Sequence, residues 1–304
     1  MDNNQFVLPE SPVQEIQHPL LEQKKIKLAI KRDDLLHPVI SGNKWRKLKY
    51  NLINMKSKGH DSFVTFGGAF SNHLYASAMA CKTFNLTGHA IIRGPDIDEN
   101  NPTIKMTRAC GMNLYAVNRK TYRLRYDPAY LKSLQTEFPN SFIIPEGGTN
   151  KAALNGVAEL AKSLPQSDYV ICATGSGGTV AGLAKGCTHN TQVMGIAVLK
   201  QADYLNQEIA QLLTDNHSGA PWQLLTDHHY GGYGKFTEDV WTFCQLMRQT
   251  YQLPLEPIYT GKMLFTVWQL ISQDYFPQGS SIMAIHTGGL QGLDGLKYRG
   301  LITR

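Results

Sequence analysis

The stretch ICATGSGGTVAGLAKG, residues 171–186, runs from apolar residues into Thr174-Gly175-Ser176-Gly177-Gly178-Thr179 and then into a string of small residues. Glycines let the backbone approach an anion closely. A helix that starts after such a loop aims N–H groups and its positive dipole end at that anion. The Ser and Thr hydroxyls add donors, so the loop reads as a phosphate cradle; a tight strand-to-helix turn without a ligand is the plainer alternative. Two nucleotide fingerprints fail here. Val180 stands where the third glycine of GxGxxG belongs, and the next strand closes on Val198-Leu199-Lys200, with no acidic residue for a ribose hydroxyl. No Gly-Lys-Ser/Thr completes a Walker A loop either. What remains is a molecule with one phosphate and no ribose to recognise.

SGNKWRK, 41–47, supplies a second piece. A helix starting near Asn43 and running through Leu48, Leu52 and Met55 to Gly59 puts Lys44 in its first turn. A cation is disfavoured there, which favours the neutral amine that attacks an aldehyde to form a Schiff base. Lys47 and Lys49, deeper in the helix, read as solvated lysines. Lys44 alone would read the same way; beside a site for a lone phosphate it reads as a nucleophile. GGAFSNH, 67–73, sets Ser71, Asn72 and His73 at a helix start. Ser71 and Asn72 suit helix capping, or else a hydroxyl, an amide and an imidazole face a cleft. HHYGGYGKF (228–236) and EPIYTGK (256–262) place tyrosines beside glycine, and IHTGGL (285–290) places Thr287 just after a strand. Such tyrosines pack corners, or sandwich a planar cofactor and pass protons.

These pieces need a scaffold. Strand-like runs at 62–66, 89–93, 113–117, 141–144, 169–173, 193–199 and 281–285 alternate with helix-like runs at 72–84, 102–110, 152–163, 236–251 and 262–275. Such alternation predicts parallel sheets covered by helices. With 304 residues, two α/β lobes are expected, their facing strand ends leaving a cleft. The apolar fraction of 42% and charged fraction of 18% suit a soluble protein. Apolar runs are too short to span a membrane, and MDNNQFVLPE lacks the basic and apolar regions of a signal peptide. Five scattered cysteines without a CxxC pair exclude a disulfide framework and a zinc site and predict a cytoplasmic protein. A net charge of +6, with Lys24, Lys25, Lys27, Lys31 and Arg32 as a basic face, suits small anions; no nucleic-acid module accompanies it.

In order, SGNKWRKLKY, GGAFSNH, EGGTNKAAL, TGSGGTVAGL, PIYTGK and HTGGLQGL resemble the D-cysteine desulfhydrase and 1-aminocyclopropane-1-carboxylate (ACC) deaminase family. These are pyridoxal-phosphate (PLP) enzymes of the tryptophan synthase β fold. The likeness runs from Lys31 to Leu293. It implies PLP fold type II: an α/β chain of two doubly wound lobes with mainly parallel sheets, residues 1–46 and 148–304 forming a large PLP-binding domain and 47–147 a small one. It also implies a homodimer. By this resemblance Lys44 carries PLP as a Schiff base, and Asn72 bonds the ring's 3-hydroxyl. Gly175, Ser176, Gly177, Gly178 and Thr179 cradle its phosphate, and Thr287 meets the pyridine nitrogen. Ser71 contacts the substrate carboxylate and takes part in proton handling, while Tyr233 and Tyr259 flank the substrate. Asn72, His73 and Thr260 complete the implied substrate set, and Lys44, Ser71, Tyr233 and Tyr259 the catalytic one.

ACC deaminases carry glutamate where Thr260 stands and glutamine where His73 stands, and they lack a threonine at 287. All three positions here resemble the desulfhydrase branch. A carboxylate keeps the ring nitrogen protonated and deepens the electron sink, whereas a threonine does so weakly. Loss of a β-thiolate needs less carbanion storage than opening an unactivated ring. The expectation is therefore β-elimination from a small amino acid such as D-cysteine, giving a 2-oxo acid, ammonia and sulfide, with ACC deamination as the alternative. Three departures bear on substrate choice. Phe70 replaces the glutamine that both branches place before Ser-Asn, Gly-Lys-Phe-Thr-Glu follows Tyr233 in place of a proline-containing sequence, and the segment before Lys44 is short. Phe70 makes the pocket less polar, which leaves open a substrate that is neither D-cysteine nor ACC. Two rivals remain. A nicotinamide oxidoreductase is opposed by the missing third glycine and by Lys200, and a PLP-binding protein without catalysis by the joint presence of Lys44, Ser71 and both tyrosines.

Overall fold

The computed structural model describes residues 10–37, 40, 42–213 and 219–303. Ser41, and all of MDNNQFVLPE but its last residue, lie outside them. The chain opens with β1 (Val13–Ile16), α1 (Pro19–Lys24), β2 (Lys27–Lys31), α2 (Gly42–Ser57), β3 (Ser62–Gly68), α3 (Asn72–Phe84) and β4 (Thr87–Arg93). It continues through α4 (Pro102–Ala109), β5 (Asn113–Val117), α5 (Arg119–Arg123), α6 (Pro128–Glu137), β6 (Ser141–Ile143), α7 (Lys151–Lys162) and β7 (Tyr169–Thr174). Then come α8 (Gly178–Gly186), β8 (Gln192–Ala197), α9 (Tyr204–Leu213) and β9 (Trp222–Leu225). Helices α10 (Glu238–Tyr251) and α11 (Thr260–Ser272), strand β10 (Ser281–Ile285) and helix α12 (Gly292–Tyr298) complete it.

The strands form two sheets, as expected of an α/β chain. One has four parallel strands in the order β5-β4-β3-β6. The other has six in the order β1-β2-β10-β7-β8-β9, parallel except for the antiparallel edge pair β1–β2. Strand β7 is central and covered on both faces, which explains its unbroken apolar run Val170-Ile171-Cys172-Ala173. Residues 37–153 and 291–303 form one compact unit around the four-stranded sheet; residues 10–36 and 154–290 form the other around the six-stranded sheet. The expected lobe boundaries were 46/47 and 147/148. The observed first unit takes in the start of α2 as well, because that helix packs on α3 and on the short turn Glu146–Gly148, and it takes in the C-terminal segment because α12 packs on α4.

The basic face expected near the start of the chain is corrected. Lys31 and Arg32 are buried: Lys31 Nζ donates to the Ser11 carbonyl at 2.6 Å, and Arg32 makes a forked pair with Asp34 at 2.9 and 2.7 Å. Their charges are used inside the fold. No helix among the described residues is long and apolar enough to cross a membrane.

Candidate active site

In the first unit, Lys44 is the third residue of α2. Trp45, Leu48, Leu52 and Met55 form that helix's buried apolar stripe. Beside it, Lys44, Lys47 and Asn51 follow one another at helical spacing, and Lys47 and Asn51 are buried too. The reading of Lys47 as a solvated lysine is thus wrong. Its Nζ donates to Thr149 Oγ1 at 3.1 Å. Asn51 Nδ2 donates to the carbonyls of Lys47 (2.8 Å) and Gly148 (3.1 Å), and Asn51 Oδ1 accepts from Asn150 Nδ2 at 2.7 Å. These bonds tie α2 to the turn at 146–149, where Gly147 and Gly148 have φ of 68° and 67°.

That turn also carries Glu146, which accepts from Tyr122 Oη at 2.7 Å and Arg125 Nε at 2.6 Å. Burial pulls the Lys44 amine from 10.5 down to about 8, while the Glu146 carboxylate pulls the other way. Among the described residues Lys44 Nζ has no hydrogen-bond partner. A lysine that is substantially neutral near pH 8, and not spent on a partner, is a nucleophile in waiting.

Strand β3 delivers Ser71, Asn72 and His73 to the start of α3. The sharp entry requires Gly67, because a Cβ there would lie 2.5 Å from Leu74 Cγ. Ser71 caps the helix, accepting from Leu74 N at 3.3 Å, so its own proton remains available. Asn72 is half-buried, and its amide bonds to nothing among the described residues. His73 is 2% exposed. Its Nε2 lies 2.7 Å from Thr65 Oγ1, and its Nδ1 is buried without a partner among the described residues. Burial first, then the cations of Lys44 and Lys47, hold His73 well below 6.5, so the imidazole is neutral. Phe70, 37% exposed, lies against α12 where Gly295 leaves room: a Cβ there would be 2.8 Å from Phe70 Cδ1. The Arg299 guanidinium sits 5.6 Å from the Phe70 ring centre.

In the second unit, the glycine loop leaves the C-terminal end of β7, between the parallel strands β10 and β8. Ligands of open α/β sheets bind at such ends. Gly177, at φ 68°, starts α8 without a capping side chain, and a Cβ on it would be 2.7 Å from Ile209 Cγ1. A Cβ on Gly175 would be 3.1 Å from Tyr259 Cε1, so the Tyr259 ring lies directly on the loop. Tyr233 meets Tyr259 edge to face, ring centres 6.1 Å apart at 75°. Tyr233 is 51% exposed, and its hydroxyl is unpaired among the described residues.

Thr260 and Thr287 are both buried. Thr287 follows His286, whose Nε2 donates to the Pro254 carbonyl (2.7 Å) and whose Nδ1 accepts from Gly288 N (3.2 Å). Thr260 donates its hydroxyl to Glu256 Oε1 at 3.1 Å. Glu256 also accepts from the backbone amides of Ile258, Tyr259 and Thr260. Sequence reasoning missed Lys47, Asn51, Glu146, Glu256 and Lys262. The 44/47/51 spacing and the charged residues inside EPIYTGK were the available signals.

The donor set fits PLP. A Cβ at 175 would press on the Tyr259 ring and one at 177 on Ile209, the loop is lined by backbone and small hydroxyls, and Thr174 Oγ1 at its start is buried without a partner among the described residues. In the first unit, an amine and an amide that are unpaired among the described residues could take an aldehyde and a ring hydroxyl. The comparisons agree. A Pyrococcus horikoshii protein named provisionally as an ACC deaminase is 31% identical over 278 residues, 86% of this chain and 84% of that one. The bifunctional, mitochondrial D-cysteine desulfhydrase/ACC deaminase of Arabidopsis thaliana is 29% identical over 294 residues, 88% of this chain and 73% of that one. The crystal structure of an ACC deaminase homologue aligns with a TM-score of 0.78 at 28% identity, covering 97% of this chain and 95% of that one. The sequence model of the pyridoxal-phosphate dependent enzymes matches residues 10–288, and this chain belongs to that family.

Proposed function

We propose that this PLP-dependent lyase acts on D-cysteine, releasing sulfide and ammonia and leaving a 2-oxo acid. The observation that carries the reading is the Lys44 amine, pulled by burial to about 8 and unpaired among the described residues. We assign the cofactor's aldehyde end to Lys44, its ring hydroxyl to Asn72, its ring nitrogen to Thr287, and its phosphate to Gly175, Ser176, Gly177, Gly178 and Thr179. Bound PLP supplies an electron sink for charge developing at the substrate's α-carbon.

The protein's own groups do the rest. Lys44 Nζ, near its pKa at neutral to mildly basic pH, takes or returns a proton at the α-carbon. Ser71 Oγ accepts from Leu74 N, which turns its proton outward towards a substrate carboxylate. Neutral His73 adds no positive charge beside Lys44. Tyr233 and Tyr259 flank the substrate and pass protons.

Desulfhydrase chemistry is favoured over ACC ring opening by the surroundings of Thr260. The carboxylate nearest that hydroxyl belongs to Glu256, and its oxygens already accept from three backbone amides and from Thr260 itself. It has no capacity left for a ligand. The five cysteines, all free thiols, support a cytoplasmic enzyme, and the family resemblance supports a homodimer.

The test is product release from D-cysteine, L-cysteine, D-serine and ACC by the purified holoenzyme. Sulfide, ammonia and a 2-oxo acid in equal amounts from D-cysteine support the proposal. Ammonia from ACC alone would move the chain to the deaminase branch, and no ammonia from any of them would leave a PLP-binding protein without this activity.

A further inference from the structure

Two charged side chains of the second unit, Lys262 (0% exposed) and Glu256 (2% exposed), stand on either side of the N-terminus of α11. Burying a charge is unfavourable unless its hydrogen bonds are well made, and both sets are made to backbone beside a tyrosine. Lys262 Nζ donates to the Gly232 carbonyl at 2.8 Å and lies 3.5 Å from the Val198 carbonyl at the end of β8. The segment it grips is unusual: Tyr230, Gly231, Gly232 and Gly234 all have positive φ, from 46° to 99°. A Cβ on Gly232 would be 3.0 Å from Lys200 Cγ. The residue after the gripped carbonyl is Tyr233, whose own hydroxyl is unpaired among the described residues. On the other side, Glu256 accepts from the backbone N–H of Tyr259 at 3.0 and 3.1 Å, and from its neighbours on either side.

We propose that Lys262 and Glu256 are positioning residues that set the mutual geometry of Tyr233 and Tyr259, Lys262 by anchoring the Tyr233 loop and Glu256 by anchoring the Tyr259 turn. The proposal rests on the reading above that these two tyrosines flank the substrate. Both charged groups act from one helix end, so the two rings are referenced to a common rigid element. Misplacing a catalytic group by about 1 Å can cost about 10²-fold in rate.

The experiment uses holoenzyme labelled with 3-fluorotyrosine, with Tyr233→Phe and Tyr259→Phe assigning the two ¹⁹F resonances. Lys262→Met is expected to shift the Tyr233 resonance and Glu256→Gln that of Tyr259. Each is expected to lower kcat for D-cysteine by roughly 10- to 100-fold with KM within threefold. Lys262→Arg, which restores a donor, is expected to recover most of kcat. Unmoved resonances, or unchanged kcat in Lys262→Met, overturn the proposal while leaving the tyrosine assignment intact. Full activity in both tyrosine variants overturns that assignment instead, whatever the resonances do. Should Lys262→Met fail to fold by near-ultraviolet circular dichroism, Lys262→Gln takes its place. Loss of the fold there too assigns Lys262 to stability alone and overturns the proposal.

Discussion

Thr65 Oγ1 lies 2.7 Å from His73 Nε2 and also donates its proton to the Ile144 carbonyl at 2.9 Å. The hydroxyl has one proton to give, so the imidazole must donate in their shared bond, which fixes the Nε2–H tautomer and leaves a buried lone pair on Nδ1. Protonating Nδ1 would bury a third cation beside Lys44 and Lys47, and burial, then those two charges, hold its pKa well below 6.5. The folded chain therefore binds fewer protons here than the unfolded chain once pH falls below about 6.5, and stability declines as acidity rises. Urea denaturation at pH 7.5 and 5.5 is expected to show that decline, with His73→Gln removing part of it. An unchanged difference in His73→Gln would contradict the assignment.

Lys44 gives the second prediction. An ordinary lysine is mostly ammonium below pH 10, but this amine is set near 8 by burial. Attachment of PLP to apoprotein, followed by visible absorbance and trapped with borohydride, is expected to accelerate as pH rises through about 8. Lys44→Ala is expected to abolish the absorbance and nearly all turnover. Glu146 acts in the raising direction, so Glu146→Gln is expected to move the midpoint lower. A midpoint that stays in place would assign the tuning to burial alone.

Thr260→Glu tests the choice of chemistry. It is expected to raise ACC ring opening relative to D-cysteine cleavage. The structure adds a complication, because the new carboxylate would start one helical turn from Glu256, itself buried and already raised to about 7. Two buried carboxylates so placed repel, and the proton goes to one of them. Thr260→Glu alone is therefore expected to lower the melting temperature, and Thr260→Glu with Glu256→Gln to recover part of it while keeping the shifted activity ratio. No change in the ratio of ACC to D-cysteine turnover in either variant would undo the branch argument.

Much of this was legible in the chain. The helix at 72–84 was legible from Ser71 as its cap and ends at the left-handed Asn85, and the strands at 113–117 and 281–285 were legible as short apolar runs. The strand-to-helix glycine loop and the place of Lys44 in the first turn of α2 were legible because local backbone chemistry sets them. Strands β1, β2 and β9 were not: they lie at or next to the edges of the six-stranded sheet, and neighbours in the sheet rather than local propensity define them. Helices α5 and α6 expose wide polar faces and each bury a single residue, Tyr122 and Leu134. Lys47 and Lys262 were invisible for a different reason. A lysine is read as solvated by default, and only the partners Thr149 and Gly232, 102 and 30 residues away in sequence, show otherwise.

The glycine loop after β7 supplies the last prediction, through two glycines that look alike in sequence. Gly177 has φ 68°, and a Cβ on it would lie 2.7 Å from Ile209 Cγ1, an atom packed in the core rather than at a loose end. Gly177→Ala therefore meets backbone strain and a steric overlap together, and a loss of about 1–3 kcal/mol is expected from overpacking alone. Gly175 is different. Its φ is not in the left-handed region, and a Cβ there would approach only the Tyr259 ring, at 3.1 Å. Gly175→Ala is expected to leave urea stability within about 1 kcal/mol, because a half-buried ring can move, yet to lower kcat by displacing Tyr259. Paired urea melts and PLP titrations of the apoproteins separate the two: Gly177→Ala loses stability and cofactor affinity, Gly175→Ala chiefly turnover. Equal effects from both would mean that the loop tolerates or rejects a methyl group as a whole, and that the Tyr259 ring is not what requires glycine at 175.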